Sequence, residues 1–275
     1  TPTAITDSNL ECLFPFLGGE EVNNSPTQSA NRFAINFGHM TLSEAEAFPE
    51  LLAIVRERVK PSRDRGRDHG PGKHGRKYWW QYTLRREPLY DSLKGKSNCL
   101  VTAVTTPYLC FSFQPVRQVF NLSLVVFPYD TFAPFSCLQS RVHLEWALML
   151  SSSLGNTLRY SVQDAHHTFA YPPAFHDKKV LHFCGKDYYE FRSRLMVETQ
   201  QGLTATYNRF HDPQQISFEI LKLRELHTEM DRAVLDAYGW SDLAARARCE
   251  FLLDYEEEEE EEGSSLQSSP SGRGG

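Results

Sequence analysis

The sequence predicts an α+β fold, in which a small antiparallel sheet with packed helices is followed by a helical segment. Short segments rich in β-branched and aromatic residues and separated by turn signals predict strands over 78–83, 98–104, 108–113 and 119–127. Apolar residues at helical spacing predict helices over 131–150, 187–199, 217–238 and 241–254. Seven consecutive glutamates, Glu256–Glu262, begin an acidic and Gly/Ser-rich tail that we expect to be disordered.

These elements predict three regions: an α+β domain over 1–175, a helical segment over 176–255 and the tail over 256–275. Within the first region, Phe33, Ile35 and Phe37 alternate as in a short strand, and residues 158–161 resemble another. Thr41 and Glu44 have the spacing of a capping box, which predicts the start of a helix.

Two polar segments predict loops. The segment 62–75 is rich in Gly, His, Arg and Asp, and nothing in it can form a core, so we expect an exposed loop. The segment 204–211 mixes Thr, Tyr, Asn, Arg and His between two predicted helices. Its side chains can contact a nucleic-acid backbone or cap helix ends, and we favour capping.

Composition excludes several classes of protein. With 275 residues and 40% hydrophobic content, the chain has enough apolar material for one or two cores, which excludes wholesale disorder. No apolar run approaches the length of a membrane helix, and residues 1–11 do not resemble a secretory signal. The six cysteines are widely spaced without a C-x-x-C pair, so we expect reduced, mostly buried thiols in a cytoplasmic protein without a membrane partner.

Positive charge is concentrated in one segment. The net charge is −6, but it becomes about +1 without the seven glutamates, and 56–86 holds eleven Lys and Arg residues against three acids. This segment ends in the interleaved string Lys77–Tyr–Trp–Trp–Gln–Tyr82, followed by Arg85 and Arg86. Lys and Arg neutralise phosphates, Gln and Arg read base edges, and aromatic rings stack. The pattern predicts nucleic-acid binding; the alternative is a solvated basic loop beside a half-buried strand.

Motifs of the common enzyme classes are not found in the sequence. It contains no G-x-G-x-x-G motif after a predicted strand, no P-loop, H-E-x-x-H or G-x-S-x-G motif, and no Asn-Pro-Pro-aromatic tetrapeptide. Ser140 and His143 have a spacing that suits a nucleophile and base, but no oxyanion donor accompanies them, so we favour a polar helix face. The adjacent His166 and His167 would point to opposite faces of a strand, so a metal site is not expected.

Several strings, taken in order, resemble one protein family. They are Phe16–Ser25, Tyr78–Tyr82 with Arg85–Arg86, Leu138–His143 with Trp146, Leu158–Tyr160, Tyr207–Pro213 and Met230–Trp240. Over about residues 12–255 the chain resembles the target-recognition region and following helical segment of the MmeI-like type II restriction-modification methyltransferases. These are single-chain DNA adenine methyltransferases, often fused to a nuclease.

The resemblance implies a division of labour between domains. In this family one domain binds S-adenosylmethionine and methylates a flipped adenine, while the recognition region grips the duplex and reads base edges. The methyl-donor loop and the Asn-Pro-Pro-aromatic motif have no counterpart in this sequence, so it resembles only the reading part. The implied partners are double-stranded DNA and the methyltransferase domain of the same parent chain, and no cofactor is expected in this chain.

Nine residues are the candidate DNA contacts on this interpretation. We expect four to hold phosphates, namely Lys77, Arg85, Arg86 and Arg117. We expect five to lie near bases, namely Gln81, Tyr82, Ser140, Arg141 and Arg159.

Two alternatives remain open. One is a non-catalytic protein-interaction scaffold that uses the helical segment and the acidic tail to bind basic partners. The other is an enzyme with an unfamiliar site, which requires a pocket of convergent titratable groups.

Overall fold

The structure is a computed structural model that describes residues 7–66, 70–154, 157–249 and 251. The predicted acidic tail over 256–275 lies outside these residues. Within them, the strands are β1 (Leu13–Leu17), β2 (Arg32–Ile35), β3 (Asn98–Ala103), β4 (Thr105–Thr106), β5 (Ser112–Pro115), β6 (Val119–Phe120), β7 (Leu124–Phe127), β8 (Ser152–Leu154) and β9 (Thr157–Arg159). The α-helices are α1 (Gly19–Asn24), α2 (Leu42–Ala45), α3 (Pro49–Arg58), α4 (Lys60–Asp64), α5 (Gly70–Lys77), α6 (Glu87–Ser92), α7 (Phe132–Gln139), α8 (Arg141–Leu150), α9 (Lys179–Thr199), α10 (Leu203–His211), α11 (Phe218–Tyr238) and α12 (Ser241–Arg246).

The described residues form two compact units, each assembled from separate stretches of chain. The first unit lies within Thr1–Glu21, Ser29–Thr102 and Ser112–Asp130. The second lies within Val22–Gln28, Ala103–Phe111 and Thr131–Gly275. The α+β class with small sheets and later helices is confirmed, and the domain boundary after residue 175 stays a prediction.

The strands form three small sheets where the sequence predicted one. The first unit holds β2–β1–β6 and β5–β3–β7, and the second holds β4–β9–β8. The β1–β2 pair is antiparallel, whereas β1 and β6 pair in parallel, with Phe16 opposite Val119. The parallel pair joins residues about a hundred positions apart, so no local turn signal could reveal it.

The core of the first unit lies between α2, α3 and the turn after α5. Phe48, Leu51, Leu52 and Val55 are buried there together with Trp79. The predicted capping box is confirmed. The Thr41 hydroxyl accepts from the Glu44 backbone N–H, and the Glu44 carboxylate accepts from the Thr41 backbone N–H at 2.7 Å.

The core of the second unit is helical. Helix α9 packs against α7 and α11, with Leu181 and Val234 buried at 0% exposure. Gly185 brings α9 close to α7, because a Cβ at this position would collide with the Ser136 hydroxyl. Helix α11 ends at Gly239, whose φ of 82° is the left-handed conformation that glycine favours in a C-terminal cap.

Two loop predictions are wrong. Within 62–75, the described residues include the end of α4 and most of α5, because Pro61 occupies the first turn of α4 and the Lys60 ammonium pairs with the Asp64 carboxylate at 2.6 Å. The second predicted loop is helix α10. It buries Thr206 and Tyr207, which a polar composition does not reveal.

Three strand or helix predictions also need correction. The segment 78–83 is a turn, because its tryptophan and glutamine side chains bond to a distant backbone carbonyl, as described below. The predicted strand 108–113 begins only at Ser112. The predicted helix 131–150 is divided at Ser140, whose extended backbone (φ −68°, ψ 158°) separates α7 from α8.

Candidate nucleic-acid interface

The first unit contains a cleft of about 710 Å³, and three stretches of chain supply most of the residues that line it. Strand β1 contributes the rings of Phe14 and Phe16. The segment 116–122 runs through β6. The segment 82–87 leads from the turn of residues 78–83, called the aromatic turn from here on, into α6. All the residues that line the cleft belong to the same compact unit, so the cleft is a feature of that unit alone.

Positive charge prevails in this cleft. The five cationic residues that line it outnumber the two acidic ones; they are Arg63, Arg85, Arg86, Lys94 and Arg117, against Glu87 and Asp91. A concave surface with surplus positive charge attracts polyanions, and the field is focused by its low-dielectric walls.

Arg85 and Arg86 are held by specific contacts at the entry to α6. Arg85 Nη1 lies 2.9 Å from His39 Nδ1, and its Nε lies 3.1 Å from Glu87 Oε1. Arg86 adopts a left-handed backbone (φ 53°), and its Nη1 donates to the Phe120 carbonyl at 3.3 Å. The αL conformation is uncommon for arginine.

Arg117 and Lys77 both lie against aromatic rings. Arg117 donates from Nη2 to the Leu10 carbonyl at 3.1 Å and lies 5.3 Å from the ring centroid of Phe14. Lys77 Nζ lies 5.1 Å from the ring centroid of Tyr78. Arg117 lines the cleft, and Lys77 is not among the residues that line it.

The aromatic turn fixes the segment that follows it. Trp79 is 7% exposed, and the Trp80 Nε1 and Gln81 Nε2 atoms both donate to the Met40 carbonyl at 2.8 Å. Gln81 is also 7% exposed, so its amide is bound within the fold. Tyr82 lines the cleft, and its partial burial raises the pKa of the phenol above its ordinary value.

The other three predicted contacts belong to the second unit. Ser140 is completely buried, and its hydroxyl donates to the Cys137 carbonyl at 2.8 Å. Arg141 starts α8, where its backbone N–H donates to the Asp231 carboxylate at 2.8 Å and its Nε lies 3.1 Å from Glu145 Oε1. Arg159 is exposed on β9. In this conformation Ser140 and Gln81 hold the fold together, while Arg141 and Arg159 reach the surface.

Ser140 and His143 do not form a nucleophile–base pair. The His143 Nε2 atom lies 2.8 Å from the Tyr160 hydroxyl, and both side chains are buried. Burial is the main cause that lowers the pKa of His143, to about 3, so its imidazole is neutral. The contact between His143 and Tyr160 is therefore an internal hydrogen bond that joins α8 to the chain after β9.

A polar network lies inside the second unit around Arg192 of α9, which is 0% exposed. Its Nη1 donates to Gln139 Oε1 at 3.0 Å and to the Tyr207 hydroxyl at 3.2 Å. The rings of Phe135 and Tyr188 each lie 5.6 Å from the guanidinium carbon. Hydrogen bonds and aromatic faces thus stabilise a buried cation. Sequence reasoning missed Arg192, since an arginine within a helical segment gives no signal of burial.

The residue types that usually bind metal ions are dispersed among the described residues. No group of three or more His, Cys, Asp and Glu residues within the described ranges could hold a metal ion. All six cysteines are free, and burial raises the pKa of Cys110 to about 11 and that of Cys99 to about 12, so their thiols are protonated. In the part of the chain that the structure describes, no helix is both long and apolar enough to cross a bilayer.

Sequence reasoning also missed two cations of the cleft, Arg63 and Lys94. Arg63 belongs to the basic segment, but nothing local distinguishes it from its neighbours; in the structure its Nη1 donates to the Thr83 hydroxyl at 2.7 Å. Lys94 follows α6 and pairs with Asp91 at 2.7 Å. Only the folded backbone brings these two residues to the cleft that Arg117 lines.

Comparisons with known proteins give a consistent result. The sequence model of the MmeI target recognition domain matches residues 3–173. Among solved structures, the chain is similar to the type IIL restriction-modification enzyme MmeI in complex with DNA, with a TM-score of 0.66 and 20% identity. The likeness covers 85% of this chain and 29% of that one, so this chain spans less than a third of that enzyme's length. A comparison with curated proteins found no match.

Proposed function

This chain belongs to the MmeI target recognition domain family, and we propose that it recognises a specific sequence in double-stranded DNA as part of a restriction-modification enzyme. The observation that carries the proposal is the cleft of the first unit, whose lining contains five cationic and two acidic residues together with aromatic rings. Phosphate neutralisation supplies sequence-independent affinity, and contacts to base edges add specificity.

The four candidate phosphate contacts differ in whether they line the cleft. Arg85, Arg86 and Arg117 line the cleft as restrained guanidinium groups, which suits contacts that position the phosphate backbone. We propose Lys77 as a fourth, peripheral phosphate contact.

The base-proximal candidates are Tyr82 at the cleft, and Arg141 and Arg159 on the second unit. Gln81 and Ser140 are bound to backbone carbonyls, so we propose that they support the reading segments from within. Their contribution to DNA binding then acts through the backbone that they hold.

We further propose that the chemistry belongs to another domain of the parent protein. That domain would bind S-adenosylmethionine and methylate an adenine extruded from the duplex, as the family resemblance implies. This chain would supply the grip and the sequence reading, and no residue of it is assigned to the cofactor.

A salt titration of DNA binding tests the proposal. The full chain is titrated with a mixed-sequence 30-base-pair duplex from about 50 to 200 mM salt, and several phosphate contacts predict a loss of affinity of at least about a hundredfold. Deletion of 256–262 is the control for repulsion by the glutamates and should leave the slope unchanged. A flat response in both chains would contradict DNA binding through phosphates.

One observation favours a second candidate, the protein-interaction scaffold. Ile216, Phe218 and Leu221, at the start of α11, are 76%, 77% and 48% exposed. Exposed apolar side chains close together are typical of protein contacts. The two candidates differ in one result: a scaffold without DNA affinity would not be retained on immobilised duplex DNA after the glutamate run is deleted.

A further inference from the structure

The exposed face of the sheet β4–β9–β8 carries one row of three polar residues. Arg159 on the central strand is directly opposite Thr105 on one side and Ser152 on the other. Residues directly opposite each other in antiparallel strands share a face, with Cβ atoms about 5 Å apart. All three are exposed, whereas Leu158 and Thr106, which pair on the other face, are 5% and 3% exposed.

Arg159 differs from the other arginines proposed as DNA contacts in the partners of its guanidinium group. Arg85, Arg86 and Arg117 bond to groups of the protein, and Arg141 pairs with Glu145. No hydrogen-bond or ion-pair partner of the Arg159 side chain is found among the described residues. A guanidinium that reads a base must present its paired donors outward, and Arg159 can do so without breaking an internal contact.

We propose that this row recognises a guanine in the major groove, with Arg159 donating to O6 and N7 and the two hydroxyls contacting the adjacent base edges. The inference rests on the proposed function and names the base that this face reads. Guanine presents two acceptors side by side in the major groove, which match the fork of arginine, and a β-ribbon such as β8–β9 fits this groove. Serine and threonine hydroxyls donate and accept, so they suit the neighbouring positions.

The test removes one acceptor from the DNA. Duplexes that the full chain retains from a randomised 30-base-pair library are sequenced, and each guanine of a retained site is replaced in turn by 7-deazaguanine, which lacks N7. Wild type is expected to lose about tenfold in affinity at one guanine position. Arg159→Ala is expected to bind the unmodified duplex about tenfold more weakly and to lose nothing further on that substitution.

Matched variants separate base reading from charge. Arg194 on α9 is exposed like Arg159, so Arg194→Ala should retain both the affinity and the sensitivity to 7-deazaguanine. Arg159→Lys keeps the charge but presents an ammonium group in place of the fork, so it should bind the unmodified duplex more tightly than Arg159→Ala and lose less affinity than wild type when N7 is removed. Thr105→Val and Ser152→Ala should each relax the preference at a position next to that guanine.

The outcomes distinguish the inference from the proposed function. Salt-dependent binding in which wild type tolerates 7-deazaguanine everywhere overturns the guanine assignment and leaves DNA recognition intact. The same holds if Arg159→Ala stays as sensitive as wild type. If no duplex binds and no salt dependence is seen, DNA recognition itself fails, and the guanine assignment fails with it.

Discussion

Arg192 of α9 donates from Nη2 to the backbone carbonyl of Phe111 at 2.5 Å, while the Phe111 N–H donates to Gln139 Oε1 at 3.0 Å. A residue of the helical segment therefore completes the hydrogen bonding of a segment that precedes β5. Phe111, Gln139 and Arg192, which make these two bonds, are all buried, so water cannot replace either bond. The stretch 103–111 belongs to the same compact unit as the later helices, in agreement with these two bonds.

Replacing Arg192 should destabilise the fold. Arg192→Met leaves the Phe111 carbonyl without its donor and disturbs the buried amide of Gln139, and each unsatisfied buried group costs about 1–3 kcal/mol. We expect a loss of about 2–4 kcal/mol in the free energy of unfolding, measured by urea denaturation. The exposed Arg194→Ala is the control and should change it by less than about 0.5 kcal/mol. Equal stability of the two variants would contradict this role for Arg192.

Gly185 should not tolerate a larger side chain. An added Cβ would collide with the Ser136 hydroxyl and approach the Phe132 carbonyl at 2.9 Å, so α9 must move away from α7. We expect Gly185→Ala to cost about 1–3 kcal/mol and to lower the melting temperature. Ser136→Ala removes the colliding oxygen, and it also removes the hydrogen bond from the Ser136 hydroxyl to the Leu181 carbonyl. The double variant should therefore lose less stability than the sum of the two single losses. If the double variant loses as much free energy of unfolding as the two single variants together, this packing is contradicted.

Acid should weaken the fold through buried histidine. Because burial lowers the pKa of His143 to about 3 in the folded chain, and unfolded histidine titrates near 6.5, the unfolded state binds the extra proton between these values. The contribution to stability is fully present above pH 6.5 and falls as the pH is lowered towards 3, by up to about 1.4 kcal/mol per pH unit.

His143→Gln tests this contribution. Urea unfolding at pH 7, 6 and 5 should show a shallower decrease in the variant than in wild type, even though the variant is less stable at pH 7. His176 is exposed, so His176→Gln should leave the wild-type slope unchanged. Parallel slopes for all three proteins would mean that His143 does not couple folding to pH.

The cleft arginines should contribute to affinity without selecting sequence. If Arg86 and Arg117 contact phosphates, then Arg86→Ala and Arg117→Ala should each weaken binding to all duplexes alike and reduce the salt slope by about 1. Arg246→Ala removes an exposed arginine of α12 that pairs with Asp242 at 3.6 Å and serves as the charge control. A variant that changes the preferred sequence but keeps the salt slope would identify a base contact instead.

Patterns confined to a few neighbouring residues predicted their local structure well. The capping box at Thr41 and the end of α11 before Gly239 lie where the sequence placed them. Strand β3 and helix α11 agree with their predicted ranges to within a residue. Each of these depends on hydrogen bonds or hydrophobic periodicity within a few positions of the chain, so the information is local.

Errors arose where distant partners decide the conformation. The segment 78–83 has the composition of a strand. However, the Met40 carbonyl accepts hydrogen bonds from two of its side chains and holds the segment as a turn. The apolar stripe over 131–150 continues across Ser140, yet the Asp231 carboxylate caps a new helix at Arg141. In both cases the competing partner is forty or more residues away, beyond any pattern that can be read along the chain.

By itself, the sequence determined the α+β class, the long helices, the concentration of positive charge and the family resemblance, because composition, periodicity and ordered motifs are properties of the chain. Tertiary structure decided which of the polar side chains are buried and which can contact a partner. It buried Gln81, Ser140 and Arg192, brought Arg63 and Lys94 to the cleft, and left Arg159 exposed between two hydroxyls. The physical reason is that burial and partnership depend on what packs against a side chain, and those neighbours come from remote parts of the chain.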